Sequence, residues 1–157
     1  MEITSLTEND LLQLMALQAE LLDETGDLDR MRELFTLILK DQNYHLLGAK
    51  KDGQLIGSLV GIVCHDLIGK CLPFMVVENV IVTKTFRRQG VGRMLMTAIE
   101  KVARARACRY IMLVSAITRE QAPAFYQGLG YESDPYRGYK MTLMPNQNFQ
   151  KEPIVPE

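Results

Sequence analysis

The spacing of apolar residues changes along the chain, and each change predicts a different kind of secondary structure. Residues 3–6 indicate a short strand. Apolar residues then recur with a helical period, which indicates two amphipathic helices over residues 11–22 and 29–40. The period then becomes that of strands. Three long strands are expected, over residues 43–50, 54–65 and 71–82.

The second half begins with the clearest helix of the chain, residues 90–106, whose apolar residues fall on one side. Residues 110–116 are mostly apolar, as in a strand that is buried on both faces. A short helix is expected over residues 119–130, and one or two strands over residues 131–143. The order β-α-α-β-β-β-α-β-α-β-β predicts an α/β fold with a mixed sheet flanked by helices.

Composition is that of one ordinary globular domain. The chain has 157 residues, of which 47% are hydrophobic and 24% charged. We expect a single domain over residues 1–144 and a loose tail over residues 145–157. The three cysteines form no CxxC pair, and the sequence shows neither a signal-peptide pattern nor the ~18-residue apolar run of a membrane helix. These features predict a cytoplasmic protein without membrane contact.

Basic residues are concentrated in one segment, although the net charge of the chain is −1. Between residues 84 and 109 they are Lys84, Arg87, Arg88, Arg93, Lys101, Arg104, Arg106 and Arg109, against the single acid Glu100. A local basic field favours a compact anionic ligand over a long polyanion such as nucleic acid. The lesser alternative, a helix that binds DNA, predicts affinity that falls steeply with salt.

The basic segment contains Arg87-x-x-Gly90-x-Gly92, between an apolar strand and the start of a helix. The first turn of a helix has unpaired N–H groups, and glycines there let a phosphate approach the backbone. A Walker A loop is excluded because its lysine is missing, and the dinucleotide motif is excluded because Leu95 stands at a glycine position. From these residues alone, an ordinary turn with arginines in solvent stays open.

A second segment accompanies this motif: "APAFYQGLGY", from Ala122 to Tyr131. The two together resemble the acyl-CoA signature [RQ]-x-x-G-x-[GA] and the A-x-x-FY-x-x-x-GF segment of the GNAT superfamily of N-acetyltransferases. The resemblance covers about residues 3–143 and includes the order of elements. It implies a central, mostly antiparallel sheet with splayed strands. It also implies transfer of an acetyl group from acetyl-CoA to a primary amine, by direct attack in a ternary complex.

The resemblance assigns donor binding to a strand and the loop that follows it. The strand would pair with the pantetheine arm, and the loop amides would surround the pyrophosphate. The implied donor-binding residues are Val80, Ile81, Val82, Arg87, Arg88, Gln89, Gly90, Val91, Gly92, Arg93 and Arg119. Arg119 departs from the family, where many members have an asparagine seven residues before the tyrosine. Its guanidinium would reach donor phosphates or an acidic substrate.

Tyr126 occupies the position of the family's catalytic tyrosine, which would donate a hydrogen bond or a proton to the departing thiolate. The alternative is a core tyrosine beside Phe125. Glu78 interrupts a long apolar run and is the candidate base, with partial burial expected to suit it to that role. An edge glutamate in solvent or paired with an arginine is the alternative. A backbone N–H near Val80 would stabilise the oxyanion.

The acceptor is less defined by the sequence. Acidic residues cluster between the first two helices, at Asp23, Glu24, Asp27 and Asp29. A cationic amine is one interpretation of this cluster, and helix capping is the other. His45 and His65 lack partners at metal-binding spacing, so no metal is expected. An alternative function is a non-catalytic acyl-CoA-binding sensor or interaction module with the same fold, and a homodimer stays open.

Overall fold

The computed structural model describes residues 1–20, 26–134 and 136–143. The chain divides into two compact units, Met1–Ser115 and Ala116–Glu157. The elements of the first unit are β1 (Glu2–Ser5), α1 (Leu11–Ala19), α2 (Leu28–Ile38), β2 (Tyr44–Lys51), β3 (Gln54–Cys64), β4 (Phe74–Val82), α3 (Val91–Ala105) and β5 (Ile111–Met112). The second unit contains α4 (Ala122–Gln127). The tail expected over residues 145–157 lies outside the described residues.

The five strands form one sheet in the order β1-β2-β3-β4-β5. The first four strands pair antiparallel, and β4 pairs with β5 in parallel. Helices α1 and α3 both pack against the central strands. The prediction of a mixed, mostly antiparallel sheet flanked by helices is therefore confirmed.

One face of the sheet is covered by α1 and α2. Its buried cluster consists of Leu6, Leu11, Leu14, Leu17, Phe35, Leu55 and Ile81. The helical spacing in the sequence predicts most of the helical members of this cluster. The helical spacing also predicts that Leu34 lies on the apolar face of α2, but its side chain is 40% exposed.

Helix α3 packs closely on β3 because Gly61 has no side chain. A Cβ atom at Gly61 would lie 2.8 Å from Ile99 Cγ1 and 3.2 Å from Met75 Sδ, and closer still to Ile99 Cδ1. Ile99 and Met75 are fully buried, so neither side chain has free space into which it could move. The glycine therefore sets the distance between helix and sheet.

We expect Gly61→Ala to lower the free energy of unfolding by about 2 kcal/mol, because the added methyl group overpacks the core. Urea denaturation would measure the change. Ile99→Val removes the nearest methyl group, so the double variant should lose less stability than the sum of the two single variants. A Gly61→Ala protein as stable as wild type would show that α3 does not need this close approach.

Two expectations for the later part of the chain are wrong. The strand expected over residues 110–116 is reduced to Ile111–Met112, and Met112 and Val114 are 43% and 56% exposed rather than buried. Residues 131–134 and 136–143 contain no strand. A strand forms only where a neighbour accepts its backbone hydrogen bonds, and among the described residues β5 has such a neighbour only at the start of β4.

Candidate active site

Strand β4, on which the sequence predicts the catalytic base Glu78, carries a β-bulge. Ser58 of β3 lies opposite Ile81, whereas Val60 lies opposite Glu78, so β4 contains one residue more than β3 in this interval. Asn79 has φ 54°, the left-handed conformation that asparagine tolerates better than most residues. A bulge bends the strand and leaves its extra residue outside the regular ladder. The backbone around Val80 therefore lies outside the regular pairing between β3 and β4.

Strands β4 and β5 diverge after a short contact. They pair only between Met75 and Ile111 and between Val76 and Met112. From there to Val82, the β5 side of β4 has no strand partner in the part of the chain that the structure describes. Such an edge can accept an extended, amide-bearing molecule as an additional strand.

The loop after β4 leads to the N-terminus of α3. Gly90 precedes the helix with φ 84°, a conformation that glycine adopts without strain. The amide of Met94 donates to the carbonyl oxygen of Gly90 at 3.0 Å and closes the first turn. The N–H groups of Val91 and Gly92 lie in this first turn, where the helix itself offers no acceptor. Because they carry the positive end of the helix dipole, they form a site suited to an anion.

Side chains of the loop also bond to its backbone. Arg87 Nε donates to the carbonyl oxygen of Val82 at 3.0 Å, and Gln89 Nε2 donates to that of Thr85 at 2.9 Å. Arg88 has a left-handed φ of 62°. Arg87, Arg88 and Gln89 are exposed. The loop is thus an ordered turn with two arginines in solvent at the end of β4.

Two residues from distant parts of the sequence contact this loop. Glu20, after the end of α1, accepts hydrogen bonds from Thr83 Oγ1 at 2.6 Å and from the amide of Lys84 at 3.0 Å. Lys51 Nζ lies 5.1 Å from the ring centroid of Phe86, a cation–π distance. No motif marks either residue. The sequence contains no signal for Glu20, whose partner Thr83 lies 63 residues away along the chain.

Glu78 lies on the bulged part of β4, but its side chain is exposed. The expectation of partial burial is therefore wrong. The alternation of β4 is the reason, because Met75 and Val77 are buried and Glu78 therefore lies on the opposite face of the strand. The bulge interrupts this alternation only at the next residue, Asn79, which is also exposed. Val80 and Val82 are half-buried, and the side chain of Ile81 belongs to the core cluster under α1.

Arg119 and Tyr126 belong to the second unit. Arg119 is exposed and accepts a hydrogen bond on its carbonyl oxygen from the amide of Ala122 at 2.9 Å. The ring of Tyr126 in α4 lies edge-on to those of Phe125 and Tyr131, at centroid distances of 5.0 and 5.8 Å. Tyr126 is half-buried, and its ring makes the aromatic contacts with Phe125 and Tyr131 that are expected of a packed tyrosine.

The described members of the acidic cluster have structural roles. Asp27 caps α2 by accepting a hydrogen bond from the amide of Arg30 at 3.0 Å. Asp29 lies 3.3 Å from Arg32 in an ion pair within the same helix. Asp23 and Glu24 lie outside the described residues. For Asp27 and Asp29, helix capping and pairing are the better interpretation.

The described residues contain neither a metal-binding group of histidine, cysteine or acidic side chains nor a helix long and apolar enough to cross a membrane. The three cysteines are free thiols.

The mixed α/β fold with a five-stranded sheet and flanking helices is also found in solved structures. One of them, titled as a transcriptional regulator from Bacillus halodurans, superimposes with a TM-score of 0.83 at 27% identity, over 90% of this chain and 99% of that chain. Residues 9–131 match the model of the acetyltransferase (GNAT) family. The chain belongs to this family.

Curated relatives include acetyltransferases of two amine classes. The aminoglycoside N(6')-acetyltransferase type 1 of Salmonella typhimurium is 27% identical over 86 residues, which are 54% of this chain and 59% of the relative. The aminoalkylphosphonate N-acetyltransferase of the same organism is 27% identical over 141 residues, 87% of this chain and 88% of the relative. The chain thus matches little more than half of the first relative and most of the second.

Proposed function

We propose that the protein is an N-acetyltransferase that transfers an acetyl group from acetyl-CoA to a primary amine of a small molecule or peptide. The observation that carries the proposal is the edge of β4 that has no strand partner among the described residues and that leads to the N-terminus of α3, in a member of the GNAT family. An extended donor with amides in the middle and a pyrophosphate at one end matches this order of features. Free thiols fit the reducing cytoplasm as its compartment.

In the proposed complex, Val80, Ile81 and Val82 pair through their backbone with the pantetheine arm. The pyrophosphate lies against the loop and the first turn of α3, with Arg87 and Arg88 adding positive charge. The residues that contribute amides to this site are Arg88, Gln89, Gly90, Val91, Gly92 and Arg93. Arg119 is a proposed additional contact to a donor phosphate. In this arrangement, each of these side chains or amides contacts either the pantetheine arm or a phosphate of acetyl-CoA.

The reaction needs a deprotonated amine and a stabilised leaving group. A primary amine with a pKa of ~10.4 is mostly protonated at neutral pH, so it must lose a proton before it can attack. Glu78, directly or through a water molecule, takes that proton. The amine nitrogen then bonds to the acetyl carbonyl carbon, and the carbon–sulfur bond breaks. A backbone N–H near Val80 stabilises the charge on the carbonyl oxygen, and Tyr126 donates to the thiolate sulfur.

The acceptor is proposed from the relatives. Aminoglycosides and aminoalkylphosphonates share a primary aliphatic amine but carry opposite charge beside it. The structural roles of Asp27 and Asp29 weaken the case for a polycation. A small aliphatic amine with an anionic group is the acceptor that we favour, since the aminoalkylphosphonate relative is matched over 88% of its length.

Release of CoA thiol from acetyl-CoA, measured with a panel of amines, tests the proposal. The panel includes aminoalkylphosphonates, aminoglycosides, amino sugars and peptide N-termini. Amine-dependent thiol release would support the enzyme. Binding of acetyl-CoA without turnover of any amine would favour the non-catalytic sensor. The likeness to a solved structure named as a transcriptional regulator is the reason to test for this alternative.

Glu78→Gln is expected to lower the rate at pH 7 about 10-fold, a modest effect for a general base because the side chain is exposed. The deficit should shrink towards pH 10, where the free amine needs no base. Initial rates at saturating acetyl-CoA across this range would measure it. Glu100→Gln, an exposed glutamate on α3, is the matched control. A Glu78→Gln protein with the wild-type rate at pH 7 would remove Glu78 from the mechanism.

A further inference from the structure

The carboxylate of Glu20 connects the end of α1 to the start of the loop between β4 and α3, residues 83–90, which we call the donor loop. One carboxylate oxygen accepts the hydroxyl hydrogen of Thr83 at 2.6 Å, and the other accepts the amide hydrogen of Lys84 at 3.0 Å. Glu20 and Thr83 are 63 residues apart in the sequence. Both oxygens of one side chain are thus used to hold two consecutive residues of another element.

The two contacts fix the first turn of the loop. Lys84 begins the 3-10 turn Lys84–Phe86, and Thr83 at its N-cap position contributes no side-chain capping bond of its own. Glu20 supplies the missing acceptor from outside the turn. The turn leads directly into Arg87, whose side chain bonds back to Val82. Glu20 therefore orders the segment from which the proposed phosphate ligands project.

The charge of Glu20 suits this role and argues against direct contact with the donor. The hydrogen bond from Thr83 and that from the Lys84 amide lower its pKa, with further lowering by the charges of Arg87 and Lys84, so the side chain is ionised at neutral pH. An ionised carboxylate beside a pyrophosphate would repel it. Any benefit to donor binding must come from ordering the loop before the donor arrives.

We propose that Glu20 is a positioning residue for the donor, which holds Thr83 and Lys84 so that the loop is already in its binding conformation. The inference rests on the proposed function, because it assumes that the loop binds CoA. Without Glu20 the loop samples more conformations, and ordering them on binding costs affinity. The acetyl transfer itself does not involve Glu20, so donor affinity should change while the rate at saturation does not.

Isothermal titration with CoA, together with steady-state kinetics, tests this assignment. Glu20→Ala is expected to weaken CoA binding about 10-fold and to raise KM for acetyl-CoA by a similar factor, with kcat unchanged. Glu33→Ala, which removes an exposed, hydrogen-bonded glutamate from α2, should leave both constants unchanged. Thr83→Val should lose part of the affinity, and Thr83→Ser should restore it.

The double variant Glu20→Ala/Thr83→Val separates loop positioning from unrelated damage. If the two residues act through one contact, the double variant should bind CoA no more weakly than Glu20→Ala alone. CoA affinity of wild-type strength in Glu20→Ala, or losses that multiply in the double variant, would overturn the assignment. Should Glu20→Ala fail to fold, Glu20→Gln keeps the shape and takes its place in the same comparison. A wild-type protein that does not bind CoA would instead overturn the proposed function.

Discussion

Tyr126→Phe is expected to lower kcat about 100-fold and to leave the affinity for CoA unchanged. In the proposed reaction, the phenol donates to the sulfur as the carbon–sulfur bond breaks. This interaction strengthens as negative charge develops on the sulfur, so its loss affects the rate rather than donor binding. A fall in kcat with an unchanged Kd for CoA is the signature of such a role.

The substitution isolates the hydroxyl group because the ring remains. The edge-on contacts of Tyr126 with Phe125 and Tyr131 involve only the rings. Tyr131→Phe is the matched control, since it removes a hydroxyl from the neighbouring ring of the same cluster. Thiol release at saturating substrates, with a thermal melt of each variant, measures the effect. A Tyr126→Phe enzyme within twofold of wild type at every pH would leave Tyr126 as a packing residue only.

The conformation of the loop before α3 could be predicted because its requirements are local. A left-handed residue before a helix and the start of the helix itself both leave a mark in the sequence, at Gly90 and in the helical spacing behind it. The contact between Thr7 and Asp10 is equally local, because the Asp10 carboxylate accepts hydrogen bonds from the amide and the hydroxyl of a residue only three positions away. In these segments, residues close in sequence decide the conformation.

The other features depend on contacts between distant segments. The bulge at Asn79 is a property of the register between β3 and β4, and nothing in "ENVIV" distinguishes a bulged strand from a regular one. Glu20 finds its partners across 63 residues of chain. At residues 110–116 the sequence instead predicts a feature that the structure lacks. The apolar run predicts a buried strand of seven residues, but pairing with β4 stops after two residues.

Asp10→Ala is expected to lower the free energy of unfolding at pH 7 by about 3 kcal/mol. The side chain is 4% exposed, and its carboxylate lies 2.6 Å from Lys50 Nζ in an ion pair. It also accepts hydrogen bonds from the amide of Thr7 at 2.8 Å and from the Thr7 hydroxyl at 2.9 Å. The substitution removes the capping interaction before α1 and leaves the mostly buried ammonium group of Lys50 without its partner.

Lys50→Met is the informative companion variant. It removes the cation but leaves the bonds from Thr7 to Asp10, so it should cost less than Asp10→Ala. Because each single variant leaves one charge of the buried pair behind, the double variant should cost less than the sum of the two. Urea denaturation at pH 7 gives all three values. Strict additivity would show that the ion pair contributes nothing beyond the cap.

The pH dependence of Asp10→Ala follows from the direction of the pKa shift. Burial alone would raise the pKa of Asp10, but the hydrogen bonds from Lys50 and Thr7 and the charge of Lys50 outweigh it, and the net pKa is lowered. The carboxylate therefore stabilises the fold fully above the unfolded-state pKa of ~3.9, and this stabilisation is lost as the pH falls through the lower, folded-state value. The stability difference between wild type and Asp10→Ala should be constant from pH 7 to pH 5 and shrink below pH 4. A difference that stays the same at pH 3 would mean that the neutral side chain stabilises the fold equally well, and that packing, not charge, is what Asp10 contributes.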